Sequence, residues 1–128
     1  MDYQEFYIET GRLLYAIAMA DGEIQEDEKS KMLNLVRDTL RKLENSVDAF
    51  GTSNAFYTEF ELERLIDFNV ESEESFNSFI DYLGLNISEI TPDLKAIIIS
   101  MAEEVAEAWD GVVAEENLYL NRLKEALK

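Results

Sequence analysis

The chain has 128 residues, with 11 Lys and Arg against 28 Asp and Glu, no His, no Cys and one Pro, for a net charge of −17. That is the length of one ordinary domain, and the missing thiols and imidazoles exclude disulfides, thiolate or histidine metal sites, and Ser-His-Asp or Cys-His catalysis. Hydrophobic residues make up 47%, too many for a disordered acidic tail, and the low Gly and Pro content favours helices.

The spacing predicts a first helix from about Asp2 to Ala20, with Tyr3, Phe6, Tyr7, Leu13, Leu14 and Ile17 on one broad face. A second is expected from near Gln25, turning Met32, Leu35, Val36, Leu40 and Leu43 inward. Its outer face would carry Lys29, Lys31, Arg37, Arg41 and Lys42, five of the eleven bases. Residues Asp48 to Asn54 read as a connection. Helices are then expected around Ala55–Asp67 and Ser72–Leu83, the latter with Phe76, Phe79, Ile80 and Leu83 inward and Gly84 as its stop. Eight of the fourteen aromatic residues fall between Phe50 and Tyr82, which points to a packed core there rather than a partner groove. Thr91-Pro92 is a helix start, since Thr accepts free amide hydrogen bonds and Pro suits the first turn. That helix should reach about Trp109 with Leu94, Ile97, Ile98, Met101, Ala102 and Val105 inside, and a last one spans roughly Glu115–Leu127 with Leu120, Leu123 and Leu127 in register. The expected fold is all-α: one compact bundle of about six helices over residues 1–128.

One local pattern occurs twice, 89 residues apart. Ala20-Asp21-Gly22-Glu23-Ile24 runs into Gln25-Glu26-Asp27-Glu28, and Trp109-Asp110-Gly111-Val112-Val113 runs into Ala114-Glu115-Glu116-Asn117. Each joins an apolar helix to an acidic helix start, so the halves read as a pseudo-repeat of helix-turn-helix ends. One use is structural: Gly adopts the left-handed position that ends a helix, and acids in a first turn favour the helix dipole by about 0.3–1 kcal/mol each. The other is cation binding. Asp21, Glu23 and Glu28, with Asp110 and Glu116, are the oxygen ligands that Ca²⁺ or Mg²⁺ prefers, provided the two turns meet. The first copy matches the second half of an EF-hand loop, but Ile17 and Met19 occupy the first ligand positions, so it is not an EF-hand. Glu103, Glu107 and Asp110 share a helical face and read as a solvated stripe or an extension of that cluster.

The two turns resemble those of the tellurite-resistance TerB family and its relatives, among them the TerB-like segment of membrane-anchored J-domain cochaperones. The family's mark is an Ala-Asp-Gly-x-Val/Ile-x-x-x-Glu turn in each half of a helical domain. Residues 20–28 match it fully; residues 109–117 match except at Trp109 and Asn117. The resemblance implies a compact bundle acting in stress-response systems beside other proteins, with Asp21, Glu28 and Asp110 at an acidic metal-binding site.

Charge bounds the partners. Between Leu43 and Asn121 the only bases are Arg64 and Lys95, against eighteen acids from Glu44 to Glu116. Such a surface repels nucleic acid and anionic lipid and attracts cations and basic proteins. Met1 to Glu5 lacks the basic start of a signal peptide, and the run Ala96 to Ala102 is too short to span a bilayer, so a cytoplasmic location without membrane insertion is expected. The leading functional expectation is a non-enzymatic domain that binds a divalent cation or a basic protein partner through its two turns. The alternative is an acidic decoy filling a partner's basic groove, with the turns purely structural. Carboxylate catalysis is a third class, but no phosphate loop or nucleophile elbow supports an enzyme.

Overall fold

The computed structural model describes residues 2–20, 29–47, 55–110 and 114–128, with side chains throughout except at 3, 39–47, 55, 108–110 and 114–116. Among the described residues the chain is all-helical: α1 Tyr3–Ala18, α2 Lys29–Val47, α3 Ala55–Asp67, α4 Ser72–Asn86, α5 Pro92–Asp110 and α6 Ala114–Ala126, with a 3₁₀ turn at Ile87–Glu89 before α5.

The first helix is the centre of the bundle. It packs against α3, α4, α5 and α6, while α2 lies against α3 and α5. This explains a departure from the one-faced helix read from the sequence. From Leu13 to Met19 every residue is buried, Tyr15, Ala16 and Ala18 included. A helix apolar all round must be covered on all sides. Its start is fixed by Asp2, whose carboxylate accepts the Glu5 amide at 3.3 Å.

Where side chains are described, the inward stripes of the other helices follow the sequence closely; the side chains of Leu40 and Leu43 on α2 lie outside the description. Met32 and Val36 of α2, Phe76, Phe79 and Leu83 of α4, and Leu94, Ile98, Met101, Ala102 and Val105 of α5 are buried, as are Leu120, Leu123 and Leu127. Leu35, Ile80 and Ile97 are half-buried against the same core. Burying a side chain of this size is worth about 1.5–3 kcal/mol, so these positions dominate the favourable side of folding.

Helix ends obey local chemistry, with one correction. Thr91 starts α5 as expected, its Oγ1 accepting the Leu94 amide at 3.2 Å. Gly84, expected to stop α4, lies inside the helix, which continues to Asn86. Nothing approaches the place a Cβ would occupy at Gly84, so the backbone has no reason to leave the helix there. Its end is marked instead by Asn86, which donates from Nδ2 to the Tyr82 carbonyl at 2.9 Å. The left-handed stop occurs at the end of α3, where Asn69 has φ of 50°. The Val70 amide reaches the Leu65 carbonyl and the Asn69 amide the Ile66 carbonyl, both at 3.1 Å, the two bonds of a Schellman ending.

The aromatic middle divides in two. Phe76, Phe79 and Tyr82 of α4 are core, as expected, but Phe56 and Phe60 of α3 are each 55% exposed and Phe68 is 74% exposed. The buried face of α3 is Thr58, Glu61, Leu62 and Leu65. Phe56 and Phe60 are on the opposite side of that helix turn, and the packed core expected for this stretch does not include them.

Candidate functional site

Of the five expected cation ligands, Asp21, Glu23 and Glu28 lie outside the described residues. Asp110 is the last residue of α5 and Glu116 falls in the first turn of α6, and the side chains of both are outside the description as well. The element order nevertheless sets their context. The first turn joins α1 to α2 and the second joins α5 to α6; α1, α2 and α6 all pack against α5. Three of the four helices that flank these segments thus touch the fourth, α5. Among the described residues no group of three or more carboxylates is placed to hold a metal ion. On the α5 stripe Glu103 and Glu107 are exposed, and Glu103 pairs with Lys124 of α6 at 3.2 Å; the side chain of Asp110 lies outside the description.

The best-defined polar cluster is one that the sequence reading did not single out. It joins α1, α3 and α4. Arg12 donates through Nε to Glu61 Oε2 at 2.5 Å, and its Nη1 bonds Glu9 and, at 2.9 Å, the Ser78 hydroxyl. Arg64 reaches the same Glu61 carboxylate through Nε at 2.6 Å and Nη2 at 3.2 Å. Ser78 in turn donates to Glu9, and Ser75 donates to the Arg12 carbonyl at 2.7 Å. Glu9 and Glu61 are both buried. Burial alone would raise the Glu61 pKa, but the hydrogen bonds and charges of Arg64 and Arg12 outweigh it and hold the carboxyl below its ordinary range. The same pairing raises Arg64 above its usual value. A carboxylate held ionised by two guanidinium groups is a poor proton donor at neutral pH. The cluster acts as a clamp: it ties three helices together with directional, charge-assisted bonds.

Close helix contact makes the clamp possible. A Cβ at Gly11 would lie 3.1 Å from the Thr58 carbonyl, and the Thr58 hydroxyl donates to the Tyr7 carbonyl at 2.6 Å. With α1 and α3 held this near, Arg12 spans the gap to Glu61. The spacings Glu9-Arg12 and Glu61-Arg64, each three apart, were visible as helical ion pairs. Their meeting across helices, 49 residues apart, was not.

Beside the clamp an open groove of ≈ 420 Å³ runs between α1 and α3, lined by Ile8, Arg12, Tyr57, Phe60, Glu61 and Arg64. The bases of α2 contribute on the other side of α3: Lys29 pairs with Asp67 at 2.8 Å and Arg37 with Glu59. A second polar joint fastens α6 to α4. Arg122 holds Glu73 at 2.9 Å and Asn77 at 3.0 Å, with its guanidinium 4.6 Å from the centre of the Phe76 ring. Tyr119 donates to Glu73 at 3.0 Å; burial is the main cause that raises its pKa.

No helix among the described residues is long and apolar enough to cross a membrane. No protein-family model, curated protein or solved structure matches the chain.

Proposed function

We propose that the chain is a non-enzymatic, TerB-like domain of a stress-response system that binds a divalent cation, a protein partner, or both, at its two Asp-Gly turns. The reading is supported by the Asp-Gly pattern repeated in the sequence, whose flanking helices touch α5. Both copies fall between consecutive helices, and the three flanking helices other than α5 all pack on α5. Asp21, Glu23 and Glu28 would supply one half of the ligand set and Asp110 and Glu116 the other. Oxygen donors of this kind select Ca²⁺ or Mg²⁺ over softer metals. The net charge of −17 adds a long-range attraction for cations and for basic partners.

Thermal unfolding in chelator, then in Ca²⁺, Mg²⁺ or Mn²⁺ at matched ionic strength, tests the reading. A site held at 100 times its dissociation constant stabilises the fold by about 2.7 kcal/mol, whereas general screening makes all divalent ions alike. The expected result is an ion-selective rise in Tm that Asp21→Asn abolishes. An equal response to every divalent ion, unchanged by Asp21→Asn, would leave the turns as helix ends and favour the acidic-decoy reading.

A further inference from the structure

We infer that the outer face of α3 is a docking surface for a basic amphipathic segment of another protein, separate from the Asp-Gly turns and independent of any ion bound there. Phe56 and Phe60 stand one helical turn apart on this face, half exposed, with their rings edge to face and centroids 4.3 Å apart. Single exposed apolar residues are ordinary, but two phenyl rings in mutual contact at the surface form a patch that water does not solvate well. Glu59 and Glu63 border the rings and, with them, line a small open pocket of ≈ 120 Å³. Two rings and Glu63, unpaired among the described residues, match the side chain of Lys or Arg: the stem packs on the rings, the cation faces their π surface, and Glu63 takes the charge.

The charge on either flank of Phe60 selects the sign of the occupant. On one side Arg12 and Arg64 are already held by Glu61 and Glu9, so that flank is close to neutral. On the other, Glu59 is answered by Arg37, whereas exposed Glu63 has no ion-pair partner among the described residues. Among the described residues the surface therefore carries the uncompensated charge of Glu63 next to apolar rings, in a chain of net charge −17. A second copy of the chain, also at a net charge of −17, meets long-range repulsion on approach. A segment with apolar residues on one face and Lys or Arg along its edge supplies what is missing, its apolar ridge covering Phe56, Phe60 and the groove beside Tyr57.

The test uses the full chain and a labelled synthetic peptide with leucines on one helical face and lysines along its edges. Two further peptides serve as controls, one with Glu in place of Lys and one with Ser in place of Leu. Fluorescence anisotropy should show binding of the Leu/Lys peptide alone. Phe60→Ala should weaken it about tenfold, the usual loss for a central aromatic contact, and Glu63→Gln should weaken it by a smaller factor that vanishes in high salt. Because Phe60 is exposed, circular dichroism of Phe60→Ala should match the parent. Leu118→Ala, an exposed apolar position on α6, should bind the peptide as the parent does. The inference is overturned if the Leu/Lys peptide does not bind, if Phe60→Ala leaves its affinity unchanged, if the Ser peptide binds as well, or if sedimentation shows the face occupied by a second copy. Running the assay in chelator keeps its outcome separate from that of the cation site.

Discussion

Two glycines within helices show how one atom's surroundings decide the sign of a substitution. Gly84 lies in α4 with open space where a Cβ would go, and Gly11 lies in α1 with the Thr58 carbonyl 3.1 Å and the Thr58 methyl 3.3 Å from that place. Alanine reduces the conformational freedom of the unfolded chain at both sites, worth about 0.5–1 kcal/mol where the space is free. At Gly11 the neighbour is a helix carbonyl on a residue whose hydroxyl is also bonded, so it has little room to yield. Urea unfolding should find Gly84→Ala more stable by about 0.5–1 kcal/mol and Gly11→Ala less stable by about 1–3 kcal/mol, the range of overpacked cores. Equal effects of the same sign would contradict the tight α1–α3 approach. Neither difference was readable from the sequence, where Gly84 resembled a helix stop because it followed an apolar run.

At the scale of elements, the core stripes were legible because a period of 3.6 leaves a direct trace in the order of residues. Phe76, Phe79 and Leu83, or Leu120, Leu123 and Leu127, declare their buried face without reference to any other helix. What was hidden depends on which helix lies opposite. Phe56 and Phe60 have the same spacing as a core pair, yet α3 turns Thr58, Leu62 and Leu65 inward instead. The clamp was hidden for the same reason: Glu61 meets Arg12 only because α1 and α3 pack. Its effect should depend on pH in a defined direction. The folded-state pKa of Glu61 is depressed, so its stabilisation is complete above the ordinary carboxylate pKa near 4.5 and is lost as pH falls through the lower folded value. Glu61→Gln should therefore cost about 1–2 kcal/mol at pH 7, the partial exposure of Arg12 and Arg64 limiting the loss. The gap between the two proteins should close below the ordinary range. Urea midpoints at neutral pH and near pH 3 check this, and a gap that widens in acid would contradict the role given to Glu61.

Over the whole molecule, three features fit together: a central helix buried all round from Leu13 to Met19, a shell of helices about it, and a surface rich in carboxylates. Charge pairing tempers the repulsion where helices meet, as Lys29 with Asp67, Arg37 with Glu59 and Arg122 with Glu73. The central functional claim is that the two Asp-Gly turns act together as one cation site. The sequence exposes the turns because Asp-Gly followed by an aliphatic residue is a local signature. It does not expose their separation in space, which depends on how α1, α2 and α6 are arranged around α5. Substoichiometric Mn²⁺ added to isotopically labelled protein measures that separation directly, since it takes the same oxygen ligands and broadens nearby amide signals. The Gly22 and Gly111 signals should broaden together at the lowest additions, and excess Mg²⁺ or Ca²⁺ should restore both. Broadening of one turn alone, or an even loss spread over the acidic faces of α4 and α5, would contradict a single shared site.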